Sequence, residues 1–368
     1  MSAPSNAAPS NAAPSNTVAA RALRWGPLAV FVILLIVLPL QLDKVWVNKI
    51  TLWIPLAVAA LGLNLLTGYN GQISIGHGAL CGFGAYATAL MINEWELPFL
   101  VAILLGSVFC FAVGVAIGLP ALRIKGLYLA LVTLSFATLF PQLIEQFSSF
   151  TGGTTGLAVT SPQEFRGAIR DREIKFQAPE WSGLADDQWR YFLFLALAAV
   201  CFVIVANVAR SRVGRSLVAI RDNEVAAEVS GVNVATAKVF TFGISAALAG
   251  ISGGMIAVYN ARVTSGSFGL ALSLAILVAV VLGGSATTMG PALGAISVSV
   301  FETVIKPELP KDFLGSIDLQ PATPLILGVL LIISVLVAPG GTVGSWHHLL
   351  ERLSHRSPSP TEAPNPSE

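Results

Sequence analysis

The chain has 368 residues, 54% of them hydrophobic and only 11% charged, with a formal net charge of +1. Soluble domains carry roughly 25% charged residues, so a water-covered globular enzyme is excluded. Nucleic-acid binding is excluded too, because it needs a concentrated Lys/Arg field. The composition predicts an all-α, polytopic helical membrane protein. Its many glycines and prolines fit, since neighbouring membrane helices re-satisfy the backbone groups these residues free. Cys81, Cys110 and Cys201 each lie singly in an apolar run. That arrangement predicts neither a disulfide framework nor a metal site.

Residues 1–24 open with repeats of APSNA and predict a disordered cytoplasmic tail. Arg21 and Arg24 precede the first apolar run, which imitates a secretory signal. No small-x-small cleavage site follows, so the run is expected to stay as a membrane helix. A bilayer core takes about 20 mostly apolar residues per helix. Runs of that kind fall at 26–42, 51–69, 73–92, 98–119, 127–147, 190–209, 237–259, 270–287, 290–305 and 322–338. They predict about ten transmembrane helices within a membrane domain spanning 25–345. Gly and Ser interrupt 73–92 and 270–305, where broken or re-entrant segments are expected. The polar tail 346–368 ends SPSPTEAPNPSE and is expected to be disordered.

Ten spans bring Arg21/Arg24, Arg123/Lys125, Arg210/Arg212/Arg215/Arg221 and Arg352/Arg356 to one side. The positive-inside rule makes that side the cytoplasm, with both termini on it. The polar segment 148–189 is then an outer loop and 210–236 an inner one. From Ser216 to Glu228 the inner segment predicts one short amphipathic helix, stopped by Gly231. Leu217, Ile220 and Val225 form its apolar face, with Glu224 and Glu228 together on the charged one. Such a helix suits either docking of a soluble partner or a resting place on the lipid headgroups.

The stretch SRVGRSLVAIRDNEVAAEVSGVNV resembles the cytoplasmic loop of ABC-importer permeases of the branched-chain amino acid class. Within it, EVAAEVSG (224–231) is similar to the EAA loop that docks into the ATPase. NLLTGYNGQISIGHGALCGFGAY (64–86) resembles the family's early glycine-rich segment, and TGGTTGL (151–157) its outer-loop motif. LSLAILVAVVLGGSATTMGPALGA (272–295) resembles its late broken helix, while APGGTVG (338–344) departs from its usual ending. The match looks closer to the longer, M-type permease. The resemblance implies a multi-pass protein of the bacterial inner membrane, contacting membrane lipid. It implies as partners a homologous second permease, two ATP-binding cassette subunits and an extracytoplasmic solute-binding protein. The implied ATPase-coupling residues are Arg221, Asn223, Glu224, Ala227, Glu228 and Gly231. The implied solute is a branched-chain amino acid; urea and short amides use similar permeases. No G-x-x-x-x-G-K-[ST] occurs in the chain, so no cofactor is expected on it. ATP and Mg²⁺ then belong to partner subunits, and the chain is a transport subunit, not an enzyme.

Charge within the spans is scarce, and His77, Glu145 and Glu302 nearly complete the list. His77 serves equally as a pathway residue or a polar packing node, whereas both glutamates read as solvated helix ends. The pairs Gly78/Gly82, Gly250/Gly254 and Gly290/Gly294 have the spacing of close helix packing. Irregular backbone inside a membrane persists only where protein or a water-lined cavity satisfies it. Gly71, Gln72, Ser74 and His77, with Gly283, Gly284 and Ser285, are therefore the candidate translocation path. An ion-coupled secondary transporter is the competing class; it wants buried carboxylates that are nearly absent. A membrane enzyme would need a nucleophile–base pair or metal ligands, and the chain offers neither. His347 and His348 are adjacent, and their side chains diverge on a helix, which reads as interfacial.

Overall fold

The computed structural model describes residues 30–124, 126–159, 178, 182–305, 326, 328, 329, 331 and 332. The expectations for both tails, for Lys125, for most of the 160–181 segment, for most of the 322–338 run and for His347/His348 lie outside these residues. The helices are α1 (Val30–Gln41), α2 (Lys44–Leu63), α3 (His77–Trp95), α4 (Phe99–Ala121) and α5 (Leu127–Gln146). After them come α6 (Ser148–Thr151), α7 (Asp186–Arg210), α8 (Arg212–Asp222), α9 (Glu224–Val229) and α10 (Val234–Asn260). The hairpin α11 (Leu270–Gly283) and α12 (Gly290–Val300) closes the described series. Six segments are long and apolar enough to cross a membrane: Lys44–Tyr69, Phe99–Ala121, Tyr128–Gln146, Asp186–Arg210, Val234–Asn260 and Ser265–Gly283. Val30–Gln41 and Gly290–Val304 are shorter apolar helices. The fold is thus an all-α membrane bundle, with six qualifying helices among the described residues where about ten spans are expected.

The central element is α10, which packs on α2, α3 and α4. Lipid tails are as apolar as leucine, so membrane helices associate through close packing and buried polar bonds. The sequence of α10 supplies both. Its Ser245 hydroxyl donates to the Gly62 carbonyl at 2.7 Å, and Ser252 donates to the Pro55 carbonyl at the same distance. Pro55 lies inside α2, and its carbonyl is the one that takes the Ser252 hydroxyl of α10. On the other face, Gly250 lies on Gly84 backbone and on Cys110, while Gly253 lies against the carbonyl of Cys81. Gly254 meets Thr88 and Ile103. Gly290 and Gly294 likewise bring α12 onto Gly283 and Ala279 of α11. Gly78 lies on Ser273 and the Gly269 carbonyl and Gly82 on the Phe140 ring, so each of the three expected glycine pairs is closely packed. Leu104 and Val108 of α4, Leu131 and Leu139 of α5 and Val200 and Val203 of α7 are exposed, and give the bundle its apolar outside.

At one end of the bundle Thr151 caps α5, donating to the Ile144 carbonyl at 2.6 Å. The chain then forms β1 (Leu157–Ala158), an antiparallel partner of β2 (Arg262–Val263) just beyond α10. Asn93 Nδ2 at the end of α3 donates to the Ala158 carbonyl at 2.7 Å. The TGGTTGL motif thus closes this end by tying α3, α5 and α10 together. Glu145 sits here as expected, at a helix end, with the Ser265 hydroxyl 3.5 Å from Oε1. The helices α8 and α9 lie at the opposite end.

Two expected boundaries are corrected. The run 73–92 is helical only from His77; residues 71–76 are not. The run 270–287 stops at Gly283, where Gly284 takes φ +106°. In both places the hydroxyls, amides and glycines that interrupt the apolar run end the helix.

A Cβ on Gly253 would enter the Cys81 carbonyl, whereas one on Gly266 meets nothing within 4 Å. Gly253→Val is expected to destabilise the bundle by about 1–3 kcal/mol, and Gly266→Ala to leave it unchanged. Thermal unfolding of the two variants in detergent measures the difference.

Candidate functional site: the cleft between the inner helices and the helix breaks

The segment read as one amphipathic helix is two. Asn223 takes an extended conformation (φ −158°, ψ 107°) and its side chain accepts from Ala226 N–H at 3.0 Å, capping α9. Asn is a strong N-cap, and this local bond outweighs continuation of α8. The turn also divides the expected apolar face. Leu217 and Ile220 of α8 are buried against the bundle, while Val225 of α9 is 70% exposed. Val229 is 85% exposed, and Ala227 is buried beneath them. Glu224 and Glu228 remain four residues apart on α9. Gly231 ends the segment at φ +86°, a conformation that L side chains adopt only at a cost of about 1–2 kcal/mol.

Arg221 and Glu224 are both held by the bundle. Arg221 Nη1 donates to the Gly68 carbonyl at 2.9 Å, and its Nε and Nη2 each lie 3.1 Å from Asp222 Oδ1. Its side chain covers Gly71, where a Cβ would stand 2.8 Å from Arg221 Cγ. Glu224 Oε1 lies 2.9 Å from Lys238 Nζ in the first turns of α10. Lys238 is 8% exposed, so most of its charge is answered inside the protein.

Beneath these helices α2 continues into a π-helical turn, Asn64–Tyr69, and then leaves helical geometry. Residues 70–76 are extended or turned, and mostly buried. Asn70 Nδ2 donates to Gln72 Oε1 at 3.0 Å, and Thr67 Oγ1 donates to the Gln72 carbonyl at 3.0 Å. From α5, Thr133 Oγ1 accepts from Ile75 N–H at 2.9 Å. From α11, Ser273 Oγ accepts from Gly78 N–H at 3.0 Å. The second break, residues 284–289, is gripped by Asn64. Its amide donates to the Thr287 carbonyl at 2.8 Å and accepts from Ala286 N–H at 2.9 Å. Ala286 is held at φ +59°, a strained value for a residue with a side chain.

These pieces frame one open cleft of about 230 Å³, lined by Gly71 and Gln72, by Arg221, Asn223 and Glu224, and by Lys238. Two groups of candidate residues, read as separate features of the sequence, therefore meet in one place. Ser74 and His77 are buried behind the cleft. His77 begins α3 and lies fully buried against Gly62 of α2. Gly283, Gly284 and Ser285 stand on the far side of Asn64, outside the cleft lining. Ala227, Glu228 and Gly231 are on α9 or just beyond it, away from the lining. Among the described residues no group of three His, Cys, Asp or Glu is placed to hold a metal ion.

A family model described as branched-chain amino acid transport system / permease component matches residues 45–335. The chain belongs to this family. It is 29% identical over 323 residues to the Escherichia coli K12 protein named high-affinity branched-chain amino acid transport system permease protein LivM, covering 85% of this chain and 73% of that one. It is 24% identical over 310 residues to the Salmonella typhimurium protein named LivH of the same system, covering 81% of this chain and 94% of that one. The Methanocaldococcus jannaschii protein named probable branched-chain amino acid transport permease protein LivM is 23% identical over 251 residues, 66% of this chain and 68% of its own length. No solved structure matches the chain.

In this permease-family chain two residues of the site escaped the sequence reading. Lys238 sits inside an apolar run, and its intramembrane charge was the available signal. Asn64 lies 222 residues from its partner Ala286, and nothing local announces the contact.

Breaking a buried ion pair leaves the remaining charge uncompensated, while removing both partners relieves it. Glu224→Gln is expected to cost about 2 kcal/mol, discounted for the partial exposure of Glu224. Adding Lys238→Met should recover part of that loss, as thermal unfolding of single and double variants in detergent would read.

Proposed function

We propose that this chain is a permease subunit of an ATP-driven, binding-protein-dependent importer for branched-chain amino acids, and that α9 is its docking point for the ATPase. The observation that carries this reading is the exposed pair Val225 and Val229 on a six-residue helix set in a polar segment. Apolar side chains presented there, beside Glu224 and Glu228, are left uncovered by the bundle. A soluble subunit with a matching groove supplies that cover. Membership of the permease family supports the same assignment.

On this reading Glu224, Ala227, Glu228 and Gly231 form or shape the docking helix, and Arg221 and Asn223 hold it to the bundle. Gly71, Gln72, Ser74, His77, Gly283, Gly284 and Ser285 line or shape the translocation path. The chain crosses the inner membrane about ten times, with both termini on the side of α8 and α9. The 148–189 segment faces outward and receives the solute-binding protein. Relatives named LivM and LivH both align with the chain, which favours pairing with a homologous second permease. Two ATP-binding cassette subunits carry ATP and Mg²⁺, and this chain binds no cofactor itself.

The test is co-purification of the tagged chain with its neighbouring gene products in mild detergent, followed by uptake in liposomes. A stoichiometric ATPase should travel with the wild-type chain and drive uptake of leucine, isoleucine or valine. Val229→Asp touches no neighbour in the bundle and is expected to lower both ATPase recovery and uptake by more than about thirtyfold. Glu224→Arg, which sets two cations side by side at Lys238, and Gly231→Leu should behave alike while still inserting into the membrane. A chain that purifies alone and transports without ATP would establish the ion-coupled class instead. Uptake of urea with no uptake of amino acids would move the solute to the amide class.

A further inference from the structure

The inner helix α8 is fastened to the π-helical turn and the second break through one small cluster, of which the sequence alone pointed only to Arg221. Arg221, on the loop side, donates to the Gly68 carbonyl. Gly68 lies in the π-helical turn one helical turn beyond Asn64. The Asn64 amide holds the second break through Ala286 N–H and the Thr287 carbonyl. Gly68 has no room for a side chain, because a Cβ there would press into Asn64 Oδ1 and stand 2.5 Å from Ala286 N. Asn64 itself is fully buried. Its amide matches one donor and one acceptor of consecutive residues, so an apolar side chain of equal volume would leave both part-buried backbone groups without that partner.

We propose that Asn64 and Gly68 form a clasp that joins the two helix breaks into one gate, and that Arg221 ties this gate to the docking helix. Asn64 and Gly68 are then positioning residues for transport, neither contacting the ATPase. Movement of α8 draws on the Gly68 carbonyl, and the Asn64 amide carries the displacement to residues 286–287. The inference rests on the importer reading given above.

Its test uses the complete complex in liposomes and reads solute taken up per ATP hydrolysed. Asn64→Leu is expected to assemble and hydrolyse ATP to within about twofold of wild type. Solute moved per ATP should fall at least about tenfold, since two part-buried backbone groups lose their partner. Asn64→Gln, which keeps the amide at the wrong length, should lie between. Gly68→Ala should give the same fall, and the double variant Asn64→Leu/Gly68→Ala should be no worse than the poorer single one. Independent defects would multiply. If Asn64→Leu does not reach the membrane, Arg221→Gln, at the exposed end of the cluster, reads the same ratio. A ratio unchanged from wild type, hydrolysis and uptake falling in parallel, or multiplicative losses would each overturn the clasp. Failure of the importer reading is separate and visible first, as ATP-independent uptake by the wild-type complex.

Discussion

Two interruptions of helix stand in the bundle, at residues 70–76, which are mostly buried, and at 284–289, which are partly buried, and the backbone groups they free need partners there. Each orphaned group in such surroundings costs several kcal/mol unless protein satisfies it. Much of the surrounding structure is arranged to meet that demand. Thr133 reaches in from α5 to Ile75 and Asn64 from the π-helical turn to Ala286 and Thr287, while Ser273 of α11 takes the Gly78 N–H in the first turn of α3. The breaks in turn shape the cleft beneath α8 and α9. Irregular backbone is thus the feature around which the neighbouring helices carry their few polar side chains.

The same economy of polar groups governs the packing of α10. Its serines occupy the carbonyls of Gly62 and Pro55, and its glycines let Cys81, Gly84 and Cys110 come within backbone distance. Where hydrophobic burial gives no net drive between helices, contact density and buried hydrogen bonds must hold them. The charged residues lie at the bundle ends, where Lys238 meets Glu224 and Arg221 meets Gly68. Among the described residues, polar interaction is therefore concentrated at the two ends of the bundle and at the breaks. An end so tied to the bundle suits a part that must transmit movement.

Much of this was legible in the residues themselves. Apolar runs of bilayer length marked the helices, and the glycine pairs marked close packing, because both are local properties of the chain. Doubled glycine at 283–284 and the polar cluster from Gly71 to Ser74 announced the breaks. The inner segment was recognisable by its charge. One expectation failed locally: Asn223 divides the amphipathic helix, although its capping preference was there to be read. The apolar periodicity from Leu217 to Val225 spans the turn and disguised it.

By itself the sequence determined the class of the protein, most of the places where helices run, and its family. Periodicity, composition and turn chemistry act over a few residues, so no tertiary knowledge is needed to read them. Only the tertiary structure decided that Arg221 turns inward to Gly68, that Glu224 is answered by Lys238 and that Asn64 holds residues 286–287. It also decided that Arg221, Asn223 and Glu224 share one cleft with Gly71 and Gln72 of the first break. These are pairings between residues tens to hundreds of positions apart. Which of the few polar groups meet in an apolar bundle depends on how the helices are arranged, and no local pattern records that arrangement.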